Sequence, residues 1–299
     1  MYVFSPIFYV IILAMKVIGV SMNIVYKRIS ELLSDQHIDL FAPTPLSECK
    51  IIKKYLLDRA GISADNGCAF MIAAPYVVKD DIEGNISEYA KSRDYHLFFT
   101  QLFDSMLPVL REEFPEYKFA GFTDHSPIDE INAAALAGLG IIGSNGLFIT
   151  QKYSSFVFVG EIITDAPVEC EAHEIRLCEN CGLCTRSCPT GCDKTGCLSA
   201  VTQKKGELSP DEAELIAKHQ IAWGCDICQK VCPHTKKALK NGSLYSNIPF
   251  FLNERTPYLT YDLVENMPDE LFNQRAYSWR GKATLLRNLK ILEELDKNK

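Results

Sequence analysis

A chain of 299 residues, 47% hydrophobic and 23% charged, can bury a large core and a smaller satellite, which excludes a disordered protein. Its net charge of −7 excludes attachment to nucleic acid by bulk electrostatics, although Pro233 to Lys299 holds 11 Lys and Arg against 8 Asp and Glu. Nine of the twelve cysteines crowd between Cys178 and Cys232 at spacings that suit metal ligation, which argues against a disulfide framework and for a reducing, cytoplasmic setting.

Residues 1–21 form an apolar stretch with one charge, Lys16, nearly long enough to cross a bilayer. No basic segment precedes it and no A-x-A-like site closes it, so it is not a signal peptide. It reads as a doubtful leader before a natural start at Met22, and no membrane association is expected unless it is retained. NIVYKRISELLSD then has the spacing of an amphipathic helix, with Ile24, Val25, Ile29, Leu32 and Leu33 on one side. Thr44-Pro45 predicts a helix start and Gly61 its end, framing IIKKYLLDRA. CAFMIAAPY at 68–76 is a continuous apolar run of the kind a strand covered on both faces needs.

From Ile86 to Phe114 the positions Tyr89, Tyr95, Phe98, Leu102, Leu107 and Leu110 fit one long helix. KFAGF at 118–122 predicts a strand, Ile131 to Leu139 a small-residue helix, and LFIT (147–150) and SFVFVGEIIT (155–164) two further strands. The first unit is thus an α/β or α+β domain over 22–168. A cysteine-rich unit follows at 169–240, including SPDEAELIAKHQ, where Ser209 caps and Pro210 begins a helix. A short helical segment at 241–299 contains RGKATLLRNLKILEEL.

Cys178-x2-Cys181-x2-Cys184-x3-Cys188-Pro189 is the ferredoxin run, in which three close thiolates hold one 4Fe–4S cluster and the fourth reaches a second. Cys225-x2-Cys228-x3-Cys232-Pro233 repeats its closing half. The spacing assigns Cys178, Cys181, Cys184 and Cys232 to the first cluster, and Cys188, Cys197, Cys225 and Cys228 to the second. Cys192 is the rival of Cys197. Two four-cysteine zinc sites are the alternative, but zinc ligands come in separated pairs, not as a triplet before C-P. Cys49, Cys68 and Cys170 lie outside both runs and read as inert buried thiols.

Gly138, Gly140 and Gly143 match G-x-G-x-x-G, but INAAALA before them reads as helix, whereas a dinucleotide fingerprint follows a strand. They read as a helix stop that lets backbone approach something flat and bulky. Asp124-His125 follows a strand in a loop closed by Pro127, where α/β domains place reactive side chains, though an aspartate before Ser-Pro also suits a turn. Tyr95-His96 follows Arg93-Asp94 and alone reads as packing.

Taken together, AAPY (73–76), YAKSRDYH (89–96), TDHSPIDEINAAALAGLGIIGSNGLFI, FVFVGEIITD, CPTG (188–191) and GCDICQKVCP (224–233) resemble the epoxyqueuosine reductase family. The resemblance covers most of Met22 to His234. It implies an α+β chain: an N-terminal α/β cobalamin-binding-type domain, a ferredoxin-like domain with two 4Fe–4S clusters, and a helical tail in a short form without a helical-repeat extension. It implies an oxidoreductase that removes an epoxide oxygen from a tRNA wobble base, with electrons from a donor such as a flavodoxin or ferredoxin. Asp124 takes the position of the acid, suited to that task if burial raises its pKa. Tyr95, His96, Gly138, Gly140, Gly143 and Asn145 take cobalamin-contact positions, and a monomer is expected. Ile141, Ser144 and His125-Ser126 depart from the family pattern, and the loop before Cys197 is short. Two rival functions are a corrinoid-dependent reductase of another small molecule and a non-catalytic electron carrier.

Overall fold

The computed structural model describes residues 24–79, 83–193 and 196–296. The apolar stretch 1–21 lies outside them. Among the described residues no helix is long and apolar enough to cross a membrane.

A four-stranded sheet organises the chain, in the order β1 (Phe41–Pro45), β2 (Cys68–Pro75), β6 (Val157–Thr164), β3 (Phe119–Phe122), with every pair antiparallel. The chain is therefore mixed α and β with an antiparallel sheet, in place of an α/β arrangement in its first unit. All eight residues of β2 are buried, and strand alternation explains how. Phe70, Ile72 and Ala74 face one layer with Val25, Ile29 and Leu33 of α1 (Ile24–Asp35) and Phe98, Phe99, Leu102 and Leu110 of α3 (Tyr95–Glu113). Ala69, Met71 and Ala73 face the other, with Leu57 of α2 (Lys54–Ala60) and Ala133 to Ala135 of α4 (Glu130–Leu136). A two-stranded ribbon, β4 (Gly140–Ile142) and β5 (Phe148–Thr150), follows α4.

Two expected elements differ. Thr44 and Pro45 end β1, where Thr44 pairs with Ala69, and α2 begins only at Lys54 before stopping at left-handed Gly61 (φ 69°). The expected helix from 86 starts at Tyr95 instead. Residues before it are taken by the cysteine-rich unit: Ile86 bridges Trp223, and the Ser87 N–H donates to the Trp223 carbonyl at 2.8 Å. Asp94 then caps α3 by accepting from the His96 N–H at 2.8 Å.

The cysteine-rich unit carries α5 (Leu183–Ser187), α6 (Leu198–Thr202), α7 (Pro210–His219), α8 (Ile227–Lys230) and α9 (Pro233–Lys240). Ser209 and Glu212 form a reciprocal capping box at the start of α7. After α10 (Pro249–Leu252), α11 (Tyr261–Glu265) and α12 (Asp269–Phe272), the long α13 (Lys282–Asp296) buries Leu285, Leu289 and Leu292 against Trp223, Tyr277, Leu198 and Ile216. Asn288 on α13 is fully buried, and its Nδ2 donates to the carbonyls of Thr202 (2.7 Å) and Ala222 (2.8 Å). Asn288→Ala strands both acceptors, so urea denaturation is expected to show a loss of about 2–4 kcal/mol. An unchanged midpoint would show that this clasp contributes nothing.

Candidate functional site

Three loop and helix-start residues meet at one end of the sheet. The N-terminal turn of α3 presents Tyr95 and His96, and the turn after β3 presents Asp124 in a left-handed conformation (φ 57°), which aspartate tolerates better than most non-glycine residues. The Tyr95 hydroxyl donates to Asp124 Oδ2, and His96 Nε2 lies 3.2 Å from the same oxygen. His96 Nδ1 faces Asp94 Oδ1 at 2.8 Å. The Tyr95 ring is sandwiched between His96 and Phe158, with centroids 4.2 and 4.3 Å away. Phe158 lies on β6, so the sheet itself positions the tyrosine.

These contacts decide where the proton resides. Burial works against charge on Asp124, but hydrogen bonds from His96 and Tyr95, aided by their neighbour Lys53, outweigh it and hold the carboxyl below the ordinary aspartate range. Bonds to Asp124 and then to Asp94 push His96 up to about 10. Burial, then Asp124, keeps Tyr95 protonated. At neutral pH the group is a carboxylate held by an imidazolium and a phenol. The raised pKa expected for an acid at Asp124 is absent, because the side chain is 55% exposed and ringed by donors. The ionisable hydrogens face the carboxylate from His96 and Tyr95 instead.

A second carboxyl layer lies behind the first. The Asp124 N–H donates to Glu130 Oε1 at 3.0 Å. Glu130 is pushed to about 7 by burial. Beside it Glu161 on β6 is wholly buried; burial, then the charge of Glu130, holds its carboxyl well above the ordinary range. Ser126 Oγ donates to Glu161 and accepts from the Ile128 N–H at 3.0 Å, fixing the turn that carries Asp124. On the outer side His125 Nε2 lies 2.9 Å from the Tyr55 hydroxyl and its Nδ1 lies 3.3 Å from Lys53 Nζ. Sequence reasoning missed Glu130, Glu161, Lys53 and Tyr55. Glu161 left one signal, a charged residue inside an apolar strand run; Lys53 and Tyr55 left none, being about seventy residues from their partner.

The cysteines gather in two cavities. Cys178, Cys181, Cys184 and Cys232 line one, with Gly143, Ser144, Asn145 and His234. Cys188, Cys192, Cys197 and Cys228 line the other, again with Asn145. Cys225 belongs beside the second set: burial first, and the charges of Asp226, Cys197 and Cys188, push its thiol up to about 11. Backbone reaches into the first cavity, where the Ser144 N–H donates to Cys178 Sγ at 3.3 Å and Ser144 Oγ lies 3.4 Å from Cys184 Sγ. Cys192 occupies a left-handed turn (φ 62°), and Cys197 stands at the N-cap position of α6 without a side-chain cap bond.

The glycine loop is explained by its own neighbours. Gly138 ends α4 at φ 76°, and a Cβ there would stand 2.7 Å from the His173 ring; at Gly140 one would stand 2.3 Å from the Ile149 carbonyl. At Gly143 it would meet the Asn145 side chain at 2.5 Å. The close approaches that require these glycines are thus made to the protein itself, and they deliver Ser144 and Asn145 to the cysteines.

The ion pair generates a spectroscopic test. Histidine NMR should show His96 titrating near 10, and Asp124→Asn should return it toward the ordinary value of about 6.5. Because the folded pKa is the higher one, the stability contributed by the pair is complete below the ordinary histidine range and lost as pH rises through about 10. An unshifted His96 in the wild type would refute the pairing.

No family model matches the chain. Among curated proteins it is 32% identical over 203 residues to an epoxyqueuosine reductase of Gloeobacter violaceus, covering 64% of this chain and 62% of that one. It is 30% identical over 228 residues to the epoxyqueuosine reductase of Listeria monocytogenes, covering 73% and 59%. The fold matches that of epoxyqueuosine reductase from Streptococcus thermophilus with a TM-score of 0.68 at 22% identity, over 93% of this chain and 86% of that one. It likewise matches an epoxyqueuosine reductase solved with an epoxyqueuosine-modified tRNA-Tyr stem loop, at a TM-score of 0.69 and 23% identity, over 90% and 81%. The match spans about three fifths of the length of these curated relatives, and by sequence the chain is a relative of the epoxyqueuosine reductases.

Proposed function

We propose that this protein reduces epoxyqueuosine to queuosine in tRNA, as a monomeric cytoplasmic enzyme fed by a donor such as a flavodoxin or ferredoxin. The observation that carries the reading is the convergence of Tyr95, His96 and Asp124 in a chain whose cysteines gather in two sets. Residues 22–168 would bind cobalamin and substrate, 169–240 the clusters, and 241–299 would close the structure.

Two sets of thiol donors support the reading of two 4Fe–4S clusters. Each set supplies soft thiolates, and the Ser144 N–H that reaches Cys178 is the kind of donor that stabilises a negatively charged cluster. Cys178, Cys181, Cys184 and Cys232 would hold the first, and Cys188, Cys197, Cys225 and Cys228 the second. Cobalamin would lie against the half-exposed face of His96 and Asp124, near Tyr95, with Asn145 and the Gly138–Gly143 loop toward the clusters. When bound, the clusters and cobalamin supply the low-potential electrons that opening an epoxide requires.

The chain's own residues manage the proton. Removing the epoxide oxygen as water takes two electrons and two protons, and the first C–O bond to open leaves a basic oxygen that needs the first of those protons. Asp124 would deliver it and be refilled from His96 Nε2, which lies 3.2 Å away across the oxygen they share. Substrate closing over the exposed carboxylate would remove water and raise its pKa, moving the shared proton onto Asp124 when it is needed. Tyr95 holds the carboxylate in place, and Glu130 anchors its backbone.

The test is anaerobic turnover of an epoxyqueuosine-containing anticodon stem loop, read as queuosine by nucleoside mass spectrometry. Wild-type protein with iron, sulfide and cobalamin should convert it. Asp124→Asn should lose about 10²- to 10⁴-fold in rate with cluster and corrinoid spectra intact. Cobalamin binding without conversion would favour a reductase of another small molecule, and no cobalamin binding would favour an electron carrier. For the second cluster, Cys197→Ser should lose one cluster's iron and its EPR signal while Cys192→Ser retains both; the reverse result would hand the ligand position to Cys192.

A further inference from the structure

The three cysteines outside the ferredoxin runs are far apart in sequence yet come together in the fold. Cys68 is the first residue of β2, opposite Thr164 at the end of β6, and Cys170 follows six residues later. Their sulfurs lie 3.7 Å apart, and both are free thiols. Cys49 is close enough for its charge to bear on the Cys68 thiol, but its own sulfur is turned to the Pro45 carbonyl at 3.5 Å.

We propose that Cys68 and Cys170 are a reversible disulfide-forming pair, a modification site separate from both cysteine cavities. A disulfide brings its sulfurs to about 2.05 Å, so the two need to close by less than 2 Å from their 3.7 Å separation. The pair is asymmetric in the way such chemistry requires. Cys68 is 2% exposed, whereas Cys170 is only partly buried and open to a reagent. The hydrogen bond with Cys170, then burial, keeps Cys68 protonated, and the same bond lowers the Cys170 thiol. Cys170, the member a reagent can reach, is therefore the attacking thiol and Cys68 the resolving partner.

With a hydroperoxide as oxidant, Cys170 Sγ takes one oxygen, giving a sulfenic acid as the O–O bond breaks and the remaining oxygen leaves as hydroxide or alkoxide. Cys68 Sγ then bonds to Cys170 Sγ and displaces the sulfenic oxygen as water, its own proton going to that oxygen. Both sulfurs are oxidised by one electron each, and the peroxide gains two. A dithiol reverses the bond by exchange. Cys170 stands eight residues before Cys178, in the segment that leads from β6 into the first cysteine cavity. The bond would fasten that segment to the sheet under oxidising conditions, which also threaten iron–sulfur clusters. None of this depends on which substrate the protein reduces.

The test uses the full-length protein reconstituted with iron and sulfide. It is treated with a small molar excess of hydrogen peroxide, alkylated in denaturant and digested without reductant. The expected product is a Cys68 peptide joined to a Cys170 peptide, formed by wild type and by Cys49→Ser, lost after dithiothreitol, and missing from Cys68→Ser and Cys170→Ser. If Cys68→Ser fails to fold, the wild-type peptide and the partly exposed Cys170 variant still decide. Recovery of both cysteines alkylated overturns the proposal. So does Cys170 sulfinic acid beside free Cys68, or a bond from Cys170 to Cys49.

Discussion

One buried carboxyl ties the cysteine-rich unit to the sheet domain. Asp226 lies between Cys225 and Cys228, is 4% exposed, and accepts from Ser87 Oγ at 2.5 Å, from the Glu88 N–H at 2.7 Å and from Gln229 Nε2 at 3.0 Å. Burial pushes its pKa up, and the Ser87 and Glu88 donors oppose that push. Stripped of those donors, the carboxyl would be an unpaired buried group of the costliest kind. Ser87 and Glu88 are therefore held against the cysteine run, while Lys91, Arg93 and Asp94 pair with Thr256, Arg275 and Gln274. Since α3 begins where that segment ends, these contacts together set where Tyr95 and His96 start.

The same economy of supports operates at Asp124. Its left-handed backbone, its N–H bond to Glu130 and the Ser126–Glu161 bond behind it make the turn stiff, while its carboxyl remains half open. A carboxylate in that setting keeps its charge until something covers it. On the proposed function, the proton would be held next door, on a histidine whose other nitrogen is braced by Asp94. Cover by a bound substrate, not burial in the resting fold, would then trigger its transfer.

Much of the fold was legible because its signals are local. The strand runs at 68–75 and 157–164, the Ser209 cap and the α13 helix follow from periodicity and end signals that act within a few residues. The failures came where tertiary bonds overrule such signals. Thr44-Pro45 looks like a helix start, but a sheet partner at Ala69 claims Thr44. Tyr89 has helical spacing, but its hydroxyl accepts from Trp223 Nε1 at 2.8 Å and its segment belongs to another unit. At the site, the triplet spacing and C-P endings display the cysteines openly. The Glu130–Glu161 layer and the Lys53–Tyr55–His125 rim exist only after folding brings their strands and loops together.

The glycine loop ends α4 as its sequence predicts, and its tight contacts lie within the protein. G-x-G-x-x-G suggested close approach to a flat ligand. The contacts that forbid a Cβ are with His173, Ile149 and Asn145, so the glycines serve the fold first. What that tight turn achieves is to carry Ser144 and Asn145 between the two cysteine cavities, where Asn145 borders both. Asn145 also hydrogen-bonds Cys228, lowering a thiol that burial raises. A loop that begins at the end of α4, on the sheet, thus reaches both thiol sets with polar donors. With the proposed clusters in place, donors aimed at cluster sulfur would stabilise the reduced, more negative state and raise its potential. The sheet domain would then act on the electronic properties of the cysteine-rich unit as well as on its position.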